Sequence, residues 1–302
     1  MGDQVESEVP TATLQIYNWI YENVAEREGN ANRASSATNC VRQSWYYNHD
    51  YPSNKLTPRK IVNFLAGDIG ELTMKYFISQ GCVGDGKLYS EVNFGELKGY
   101  YKIGKYFLPH FEQPPWSFNV QDITITGHPD GVGKRNSDGK WELIECKTAS
   151  NYGYEGFKKE GAKDYLKQAH ALMLTDEAAR LGLSGVRFFY LRKETGHIWD
   201  RFHAYDMEIA AAVASNFVKS NMAEIPKRDF ESIDEMKIKQ KDGVKFKEPT
   251  GRKTVEWQCE YCSFLKECHG DYEVEWPKDR FGNAKPYYIL KENVNERKQN
   301  GS

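Results

Sequence analysis

Two carboxylates and one lysine near the middle of the chain have the types and spacing of residues that act on a phosphate. Glu145 and Lys147 flank Cys146, and Asp130 lies upstream in the segment Gly127–Gly131. Residues two apart on a strand project from one face, so Glu145 and Lys147 are predicted to lie side by side, with Cys146 turned into the core. A carboxylate and an ammonium in an otherwise apolar strand are costly to bury, which indicates a chemical role.

These residue types suit a hard divalent cation. Mg²⁺ and Mn²⁺ bind oxygen ligands, and Asp130 and Glu145 supply two carboxylates, while the backbone carbonyl of Cys146 supplies a third oxygen. Lys147 is predicted to orient the attacking water or to stabilise charge on the phosphate. The alternative is a surface hairpin with an ordinary Glu–Lys pair, because Glu-x-Lys is common. Pro129 and Asp130 on the partnering strand favour metal-dependent hydrolysis of a phosphodiester.

The elements that must position these residues predict a mixed α/β fold, with helices layered on a sheet. Helices are predicted at Thr11–Glu28, Cys40–Tyr47, Thr57–Gln80, Glu155–Leu181 and Asp206–Met222, and strands at Phe118–Thr126, Trp141–Thr148, Val186–Arg192 and Ile198–Tyr205. The hairpin signal Asn136–Gly139 precedes the strand with Glu145 and would bring Asp130 across from it. Lys227–Lys253 has no clear period and is predicted to connect the core to a cysteine-rich segment.

Composition limits the classes of partner. The formal net charge of the 302 residues is -2, so any surface for nucleic acid must be a local patch. No apolar run approaches the ~20 residues that span a bilayer, and the polar, acidic segment Met1–Pro10 does not resemble a signal peptide. We therefore expect no membrane partner and a cytoplasmic location, in a bacterium or in the host cell of a phage.

The chain has six cysteines, and a protein of the cytoplasm should not carry a disulfide framework. Three of them, Cys259, Cys262 and Cys268, fall within ten residues. This density indicates ligation of a metal ion or an iron–sulfur cluster. The spacing by itself slightly favours zinc, with His269 or Cys40 as the fourth ligand.

The segment Pro129–Asp130, followed on the next strand by Glu145–Lys147, resembles the signature of the PD-(D/E)XK nuclease superfamily. Upstream, Gly67–Glu71 resembles a motif of the RecB-like branch, in which a Gly is followed four residues later by Glu or His. The resemblance implies a restriction-endonuclease-like mixed sheet flanked by helices and DNA cleavage that depends on Mg²⁺ or Mn²⁺. It also implies that Glu71 is a third acidic residue of the metal site.

The helix after the strand pair extends the resemblance in part. RecB-like enzymes carry Gln-x3-Tyr there, and the pair contacts the active site and DNA. Gln168 matches the first position, so the resemblance assigns it to the site, but Leu172 stands where Tyr is expected. Tyr165 lies one turn earlier on the same helix face and is the candidate substitute.

The cysteine spacing is similar to that of iron–sulfur RecB-like nucleases, which include CRISPR-associated proteins and the AddB-type helicase–nuclease subunit. In those families one cysteine before the nuclease core and three after it hold a 4Fe–4S cluster. The resemblance covers most of residues 33–270 and implies that Cys40, Cys259, Cys262 and Cys268 are the ligands. It favours the cluster over zinc and leaves Cys82 and Cys146 as small core residues.

We therefore expect an N-terminal helical segment over residues 1–56, a nuclease core over 57–225 and a cysteine-cluster segment over 226–302. The expected activity is that of a deoxyribonuclease, an exonuclease on DNA ends or single strands. Its setting would be recombination, repair or phage DNA processing, with protein partners in recombination or CRISPR-type processing. The alternatives are a non-catalytic DNA-binding or assembly subunit and an endonuclease with structural zinc. Weaker candidates for DNA contacts are Trp45, Tyr46, Tyr152, Tyr154, Lys158 and Lys159.

Overall fold

The structure is a computed structural model that describes residues 15–16, 19–20, 32–53, 58–161, 163–241, 244–256, 258–275 and 287–291. The chain divides into two compact units. The first unit comprises Met1–Thr38 and Lys55–Asn221, and the second comprises Asn39–Asn54 and Met222–Ser302. Most of the helix predicted over Thr11–Glu28 lies outside the described residues, as does Thr57.

The described helices and strands are numbered here in chain order. The α-helices are α1 (Val41–Asn48), α2 (Pro58–Gly81), α3 (Asn151–Glu160), α4 (Lys163–Met173), α5 (Asp176–Leu181), α6 (Met207–Asn221) and α7 (Leu265–His269). The strands are β1 (Tyr89–Asn93), β2 (Glu96–Ile103), β3 (Tyr106–Glu112), β4 (Trp116–Val120), β5 (Ile123–Gly127), β6 (Gly131–Arg135), β7 (Trp141–Ala149), β8 (Gly185–Arg192), β9 (Ile198–Ala204), β10 (Ser232–Lys241), β11 (Val244–Val255), β12 (Tyr272–Glu275) and β13 (Tyr287–Leu290). Among the described helices, none combines the length and the apolar character that crossing a membrane requires.

A five-stranded mixed sheet forms the centre of the first unit, in the spatial order β1-β6-β7-β8-β9. Strands β7 and β8 run parallel, and the other neighbours are antiparallel. The central strand β7 is covered on both faces, and its residues 142–146 are buried without interruption. The predicted mixed α/β fold is confirmed.

Alternate residues of β7 pack into different apolar layers. Leu143 lies in one cluster with Leu172 of α4. Ile144 and Cys146 lie in another, with Met74 of α2. Cys146 is buried, as the strand alternation predicted.

The predicted elements around the candidate site are confirmed to within a residue or two. The turn Asn136–Gly139 joins β6 to β7, and the strands predicted at Val186–Arg192 and Ile198–Tyr205 are β8 and β9. Asp206 caps α6, because its Oδ1 accepts a hydrogen bond from the N–H of Glu208 at 2.8 Å.

Three predictions of secondary structure are wrong. Phe118–Thr126 is not one strand, because the chain reverses at Gln121, whose φ of 53° is left-handed, and β4 pairs with β5. Glu155–Leu181 forms three helices, because the chain leaves helical geometry at Gly161, with a φ of 74°, and again at Thr175, which is extended and caps the third helix. Lys227–Lys253 is not an irregular connection, since β10 and β11 form a long antiparallel hairpin there.

The second unit contains a four-stranded antiparallel sheet in the order β10-β11-β13-β12. Beside it, the aromatic rings of Trp45, Tyr46 and Phe264 form a small core against which Cys262 and Cys268 pack. The short helix predicted at Cys40–Tyr47 is confirmed as α1, which begins one residue later.

Candidate active site

The register of β6 and β7 positions the first carboxylate. Gly131 pairs with Ile144 in this antiparallel ladder, so one further step sets Asp130 across from Glu145. Asp130 Oδ2 accepts a hydrogen bond from the backbone N–H of Cys146 at 2.6 Å. The carboxylate is thereby fixed against β7, at the point where β6 separates from it.

Glu145 and Lys147 lie side by side on one face of β7, as predicted. Lys147 Nζ donates to Glu145 Oε2 at 2.6 Å, and Glu145 is 1% exposed. Burial raises the pKa of Glu145 to about 7; Lys147 lowers it, and Asp130 and Glu71 raise it. The second oxygen, Glu145 Oε1, is buried and has no hydrogen-bond partner in the described part of the chain. A buried carboxylate with an open acceptor is costly unless a cation or donor meets it.

Glu71 on α2 reaches the same place from the adjacent helix. Burial raises the pKa of Glu71, and so does the nearby charge of Asp130. The charge of Lys147 also acts on Glu71, so the three predicted carboxylates and the lysine share one electrostatic neighbourhood.

Lys75 is a residue of this site that the sequence analysis missed. Its Nζ lies 2.6 Å from Glu71 Oε1, and the residue is 5% exposed. Burial lowers the pKa of Lys75, but the carboxylates of Asp130 and Glu71 outweigh that effect and the pKa is raised. The available signal was the spacing, since residues four apart lie on one helix face.

A close approach of helix and strand brings Glu71 to the sheet. A Cβ at Gly70 would stand 2.2 Å from Thr148 Cγ2, whereas one at Gly67 would stand 3.8 Å from Thr148 Oγ1. Gly70 is therefore the position where only glycine allows α2 to lie this close to β7. The glycine of the predicted motif, Gly67, has room for a side chain.

Helix α4 borders the site through Tyr165. The ammonium of Lys147 lies 5.2 Å from the centre of the Tyr165 ring, a cation–π distance. Gln168 follows one turn later and is half-buried, but the described contacts do not join it to the carboxylates. Leu172 is 1% exposed within the apolar core. The structure thus places Tyr165, and not residue 172, beside the lysine.

The donor set fits a hard cation, although the side chains are turned to other partners. Among the described residues, no group of three His, Cys, Asp or Glu side chains is gathered closely enough to be a ligand set. Glu71 and Glu145 each face a lysine, and Asp130 faces a backbone N–H. All donors are oxygens, one of them without a hydrogen bond, which is the chemistry that Mg²⁺ or Mn²⁺ requires.

The four predicted cluster cysteines lie in the second unit and influence one another electrostatically. Burial raises the pKa of Cys40 to about 12, and the charges of Cys262 and Cys268 act in the same direction. Burial also raises the pKa of Cys259 to about 12, and the charges of Cys262 and Cys268 raise it further. The structure therefore places Cys40 within electrostatic range of two thiols that are more than two hundred residues away in sequence.

Backbone N–H groups already point at two of the sulfurs. Cys40 Sγ accepts from the N–H of Gln43 at 3.3 Å, as the N-cap of α1. Cys262 Sγ accepts from the N–H of Phe264 at 3.5 Å. Hydrogen bonds of this kind stabilise thiolates that bind metal.

His269, the alternative zinc ligand, lies among charged side chains. Burial lowers the pKa of His269, and the positive charges of Arg228 and Arg42 lower it further. The negative charge of Glu231 acts in the opposite direction. Both ring nitrogens are buried without a hydrogen-bond partner in the described residues. The positive charge of Arg228 opposes a cation at this ring.

The weaker candidates for DNA contacts include both buried and exposed side chains. Trp45, Tyr46 and Tyr154 are 6%, 2% and 5% exposed, so they belong to cores and are closed to bases. Tyr152 is 91% exposed on α3. Lys158 and Lys159 lie in the last turn of the same helix, where they also complement its dipole.

Comparison with known proteins assigns no family to this chain. No family model matches the chain, and no curated protein matches it. A solved structure described as the crystal structure of SSO0001 is similar with a TM-score of 0.41 and 14% sequence identity, over 85% of this chain and 96% of the other.

Proposed function

We propose that the first unit is a metal-dependent deoxyribonuclease of the PD-(D/E)XK type with a restriction-endonuclease-like sheet. The observation that carries the proposal is the arrangement of Asp130, Glu145 and Lys147. A backbone N–H of β7 fixes Asp130 opposite Glu145, and the lysine lies on the same face of the strand. Burial raises the pKa of Glu145, and the charge of Asp130 raises it as well. A buried carboxylate with a perturbed pKa beside a second carboxylate is typical of active sites.

Glu71, Asp130 and Glu145 are the side chains that would hold Mg²⁺ or Mn²⁺, together with the backbone carbonyl of Cys146. The bound cation supplies a water of lowered pKa and neutralises charge on the phosphate. The open oxygen Glu145 Oε1 is the acceptor best placed to begin ligation, because it loses no internal hydrogen bond.

Lys147 then serves the reaction by changing partner. Its ammonium is held between Glu145 and the ring of Tyr165. If Glu145 held a cation, Lys147 would lose this partner, and the charge of Asp130 and the ring of Tyr165 would remain beside the ammonium. The ammonium is then available to orient the attacking water or to donate to a phosphate oxygen.

Lys75 is proposed to keep the helix-borne carboxylate in place. Its ammonium bonds Glu71 and lies within range of the charge of Asp130. A positive charge there lowers the repulsion between the two carboxylates before a cation binds. This role makes Lys75 a positioning residue.

We infer that the enzyme acts as an exonuclease on DNA ends or single strands, in recombination, repair or phage DNA processing. Protein partners in recombination or CRISPR-type processing and a cytoplasmic location belong to the same proposal. Gln168 is retained as a residue that meets DNA or the site in the bound state, because it lies one turn from Tyr165 on α4.

For the second unit we propose a 4Fe–4S cluster on Cys40, Cys259, Cys262 and Cys268. Two observations support the proposal. The charges of Cys262 and Cys268 act on both Cys40 and Cys259, and backbone N–H groups are directed at two of the sulfurs. Aromatic rings cover Cys262 and Cys268, which shields a cluster from solvent. Zinc on the same thiolates is the competing occupant.

Cleavage of end-labelled linear and circular DNA, with and without Mn²⁺, tests the nuclease proposal. Asp130→Asn and Glu145→Gln keep the shape of the side chains and should abolish cleavage while DNA binding persists. Asp122→Asn, on the exposed β4–β5 turn, is the matched control and should cleave as the wild type does. Full activity in either site variant would overturn the assignment. Wild-type protein that binds DNA and never cleaves it would identify a non-catalytic subunit.

A further inference from the structure

The β2–β3 hairpin carries exposed aromatic rings on both of its faces, which packing does not explain. It is a separate two-stranded sheet, and four of its aromatic rings are at least half exposed. Tyr100 (61%) and Phe107 (58%) lie on one face of the hairpin with Lys102, and Tyr101 (50%) and Tyr106 (58%) lie on the other face. Exposed aromatic residues gathered on one element are uncommon on a protein surface and indicate a binding role.

Lysines are interleaved with these rings. Lys102 pairs with Phe107 across the ladder, and its Nζ lies 5.9 Å from the centre of that ring. Lys105 Nζ lies 5.4 Å from the centre of the Tyr106 ring. The segment 99–110 contains these two lysines and no acidic residue, although the whole chain has a net charge of -2. The hairpin tip is therefore a local basic patch with π-faces.

We propose that this hairpin binds single-stranded DNA, with bases stacked on its aromatic rings and phosphates at its lysines. Stacking platforms with adjacent cations are the means by which proteins bind single strands without reading their sequence. A duplex hides the faces of its bases, so it cannot use such a surface. A protein partner is disfavoured, because lysine is depleted from the cores of protein interfaces.

The base of the hairpin is joined to the candidate active site. Phe111 of β3 packs in the apolar cluster that contains Met74 of α2 and Cys146 of β7. His128 Nδ1 donates to the carbonyl oxygen of Gln113 at 3.0 Å, directly after β3, and His128 lies two residues before the candidate metal ligand Asp130.

A strand bound on the hairpin would thereby be held on the same unit as the carboxylates. This delivery role rests on the proposed nuclease function, whereas binding by the hairpin does not.

Fluorescence anisotropy with a labelled oligothymidylate tests the proposal on the full-length protein in excess chelator, which prevents cleavage. The double variant Tyr100→Ala/Phe107→Ala should bind roughly tenfold or more weakly, the loss expected when base-stacking rings are removed. Phe64→Ala removes a half-exposed ring on α2, to which no role in binding is assigned, and should bind as the wild type does. Tyr100→Phe keeps the π-face and should retain the affinity.

Lys102→Ala/Lys105→Ala should reduce the dependence of affinity on salt, because fewer counterions are released. Unchanged affinity of the aromatic double variant would overturn the proposal. An equal loss on a blunt duplex of the same length would also overturn it. So would a change of oligomeric state in light scattering with unchanged DNA affinity, since the rings would then form a face between two copies.

The two proposals fail separately. Tight binding of oligothymidylate through the hairpin, without cleavage by wild type in Mn²⁺, would sink the nuclease assignment and leave the hairpin role intact. Cleavage by wild type with no effect of the hairpin variants on binding would refute the hairpin role and leave the nuclease assignment intact.

Discussion

The contact of Gly70 with Thr148 yields the sharpest structural prediction. In Gly70→Ala the new Cβ would stand 2.2 Å from Thr148 Cγ2, closer than any real contact. Overpacking of this kind costs about 1–3 kcal/mol, whereas Ala in place of Gly within a helix returns about 0.5–1 kcal/mol. Since the β-branched Thr148 is stiff at χ1 and cannot turn aside cheaply, we expect a net loss of about 2 kcal/mol.

Thr148→Ser reverses the sign of that effect. Without Cγ2, the nearest atoms to the new Cβ are the Cβ of residue 148 at 3.5 Å and Leu191 Cδ2 at 3.7 Å, both ordinary contacts. In the Thr148→Ser background, Gly70→Ala should therefore stabilise the protein by about 0.5–1 kcal/mol through helix propensity. The coupling free energy of the cycle is about 2.5–3 kcal/mol, well above the additivity error.

Urea denaturation of the four proteins, followed by far-UV circular dichroism, measures the cycle. Cleavage activity should fall in Gly70→Ala and return in the double variant, because a helix displaced from β7 carries Glu71 away from Asp130. Equal effects of Gly70→Ala in the two backgrounds would refute the reasoning, since the contact with Cγ2 would then not limit the approach. Reduced activity in the double variant with restored stability would assign Gly70 another role.

Three further predictions concern the lysine, the cysteines and a histidine. Lys147→Ala should lower turnover strongly and spare Mn²⁺ affinity in calorimetry, because the ammonium is not a ligand; lost Mn²⁺ binding with normal turnover would contradict this. Protein purified without air should be brown, and Cys40→Ser should bleach it while Cys82→Ser should not; one zinc per chain and no iron would exclude the cluster. Burial lowers the pKa of His170, whose Nε2 accepts the N–H of Asp206 at 2.9 Å, so its folded pKa lies below the unfolded value of about 6.5. Its stabilising contribution is therefore present above about pH 6.5 and is lost as pH falls toward the folded pKa. In His170→Gln the melting temperature should depend less on pH between about pH 7.5 and pH 5 than in the wild type. The same pH dependence in both proteins would refute this.

The chemistry of β7 was predictable from the sequence because strand alternation is local. Glu145 and Lys147 had to share a face, Cys146 had to take the other, and the turn Asn136–Gly139 set the register that brings Asp130 opposite Glu145. These statements need only neighbours along the chain and one hairpin.

Some strands could not be predicted because their periodicity is obscured. The β2–β3 hairpin exposes rings on both strands, and β10–β11 is rich in exposed charge, so neither shows the apolar alternation of a half-buried strand. The turn at Gln121 was missed because a left-handed φ is unusual for a residue other than glycine, asparagine or aspartate.

The amino-acid sequence by itself determined the mixed α/β class, the candidate carboxylates and the lysine. Tertiary packing decided which remote side chains join them. Lys75 enters the site because Gly70 lets α2 lie against β7. Tyr165 meets Lys147 because α4 packs on the face of the sheet from which Lys147 projects. In the second unit, Cys40 comes within electrostatic range of two thiols over two hundred residues away. Periodicity fixes the direction of a side chain relative to its own element, whereas the distance between two elements depends on how their surfaces fit.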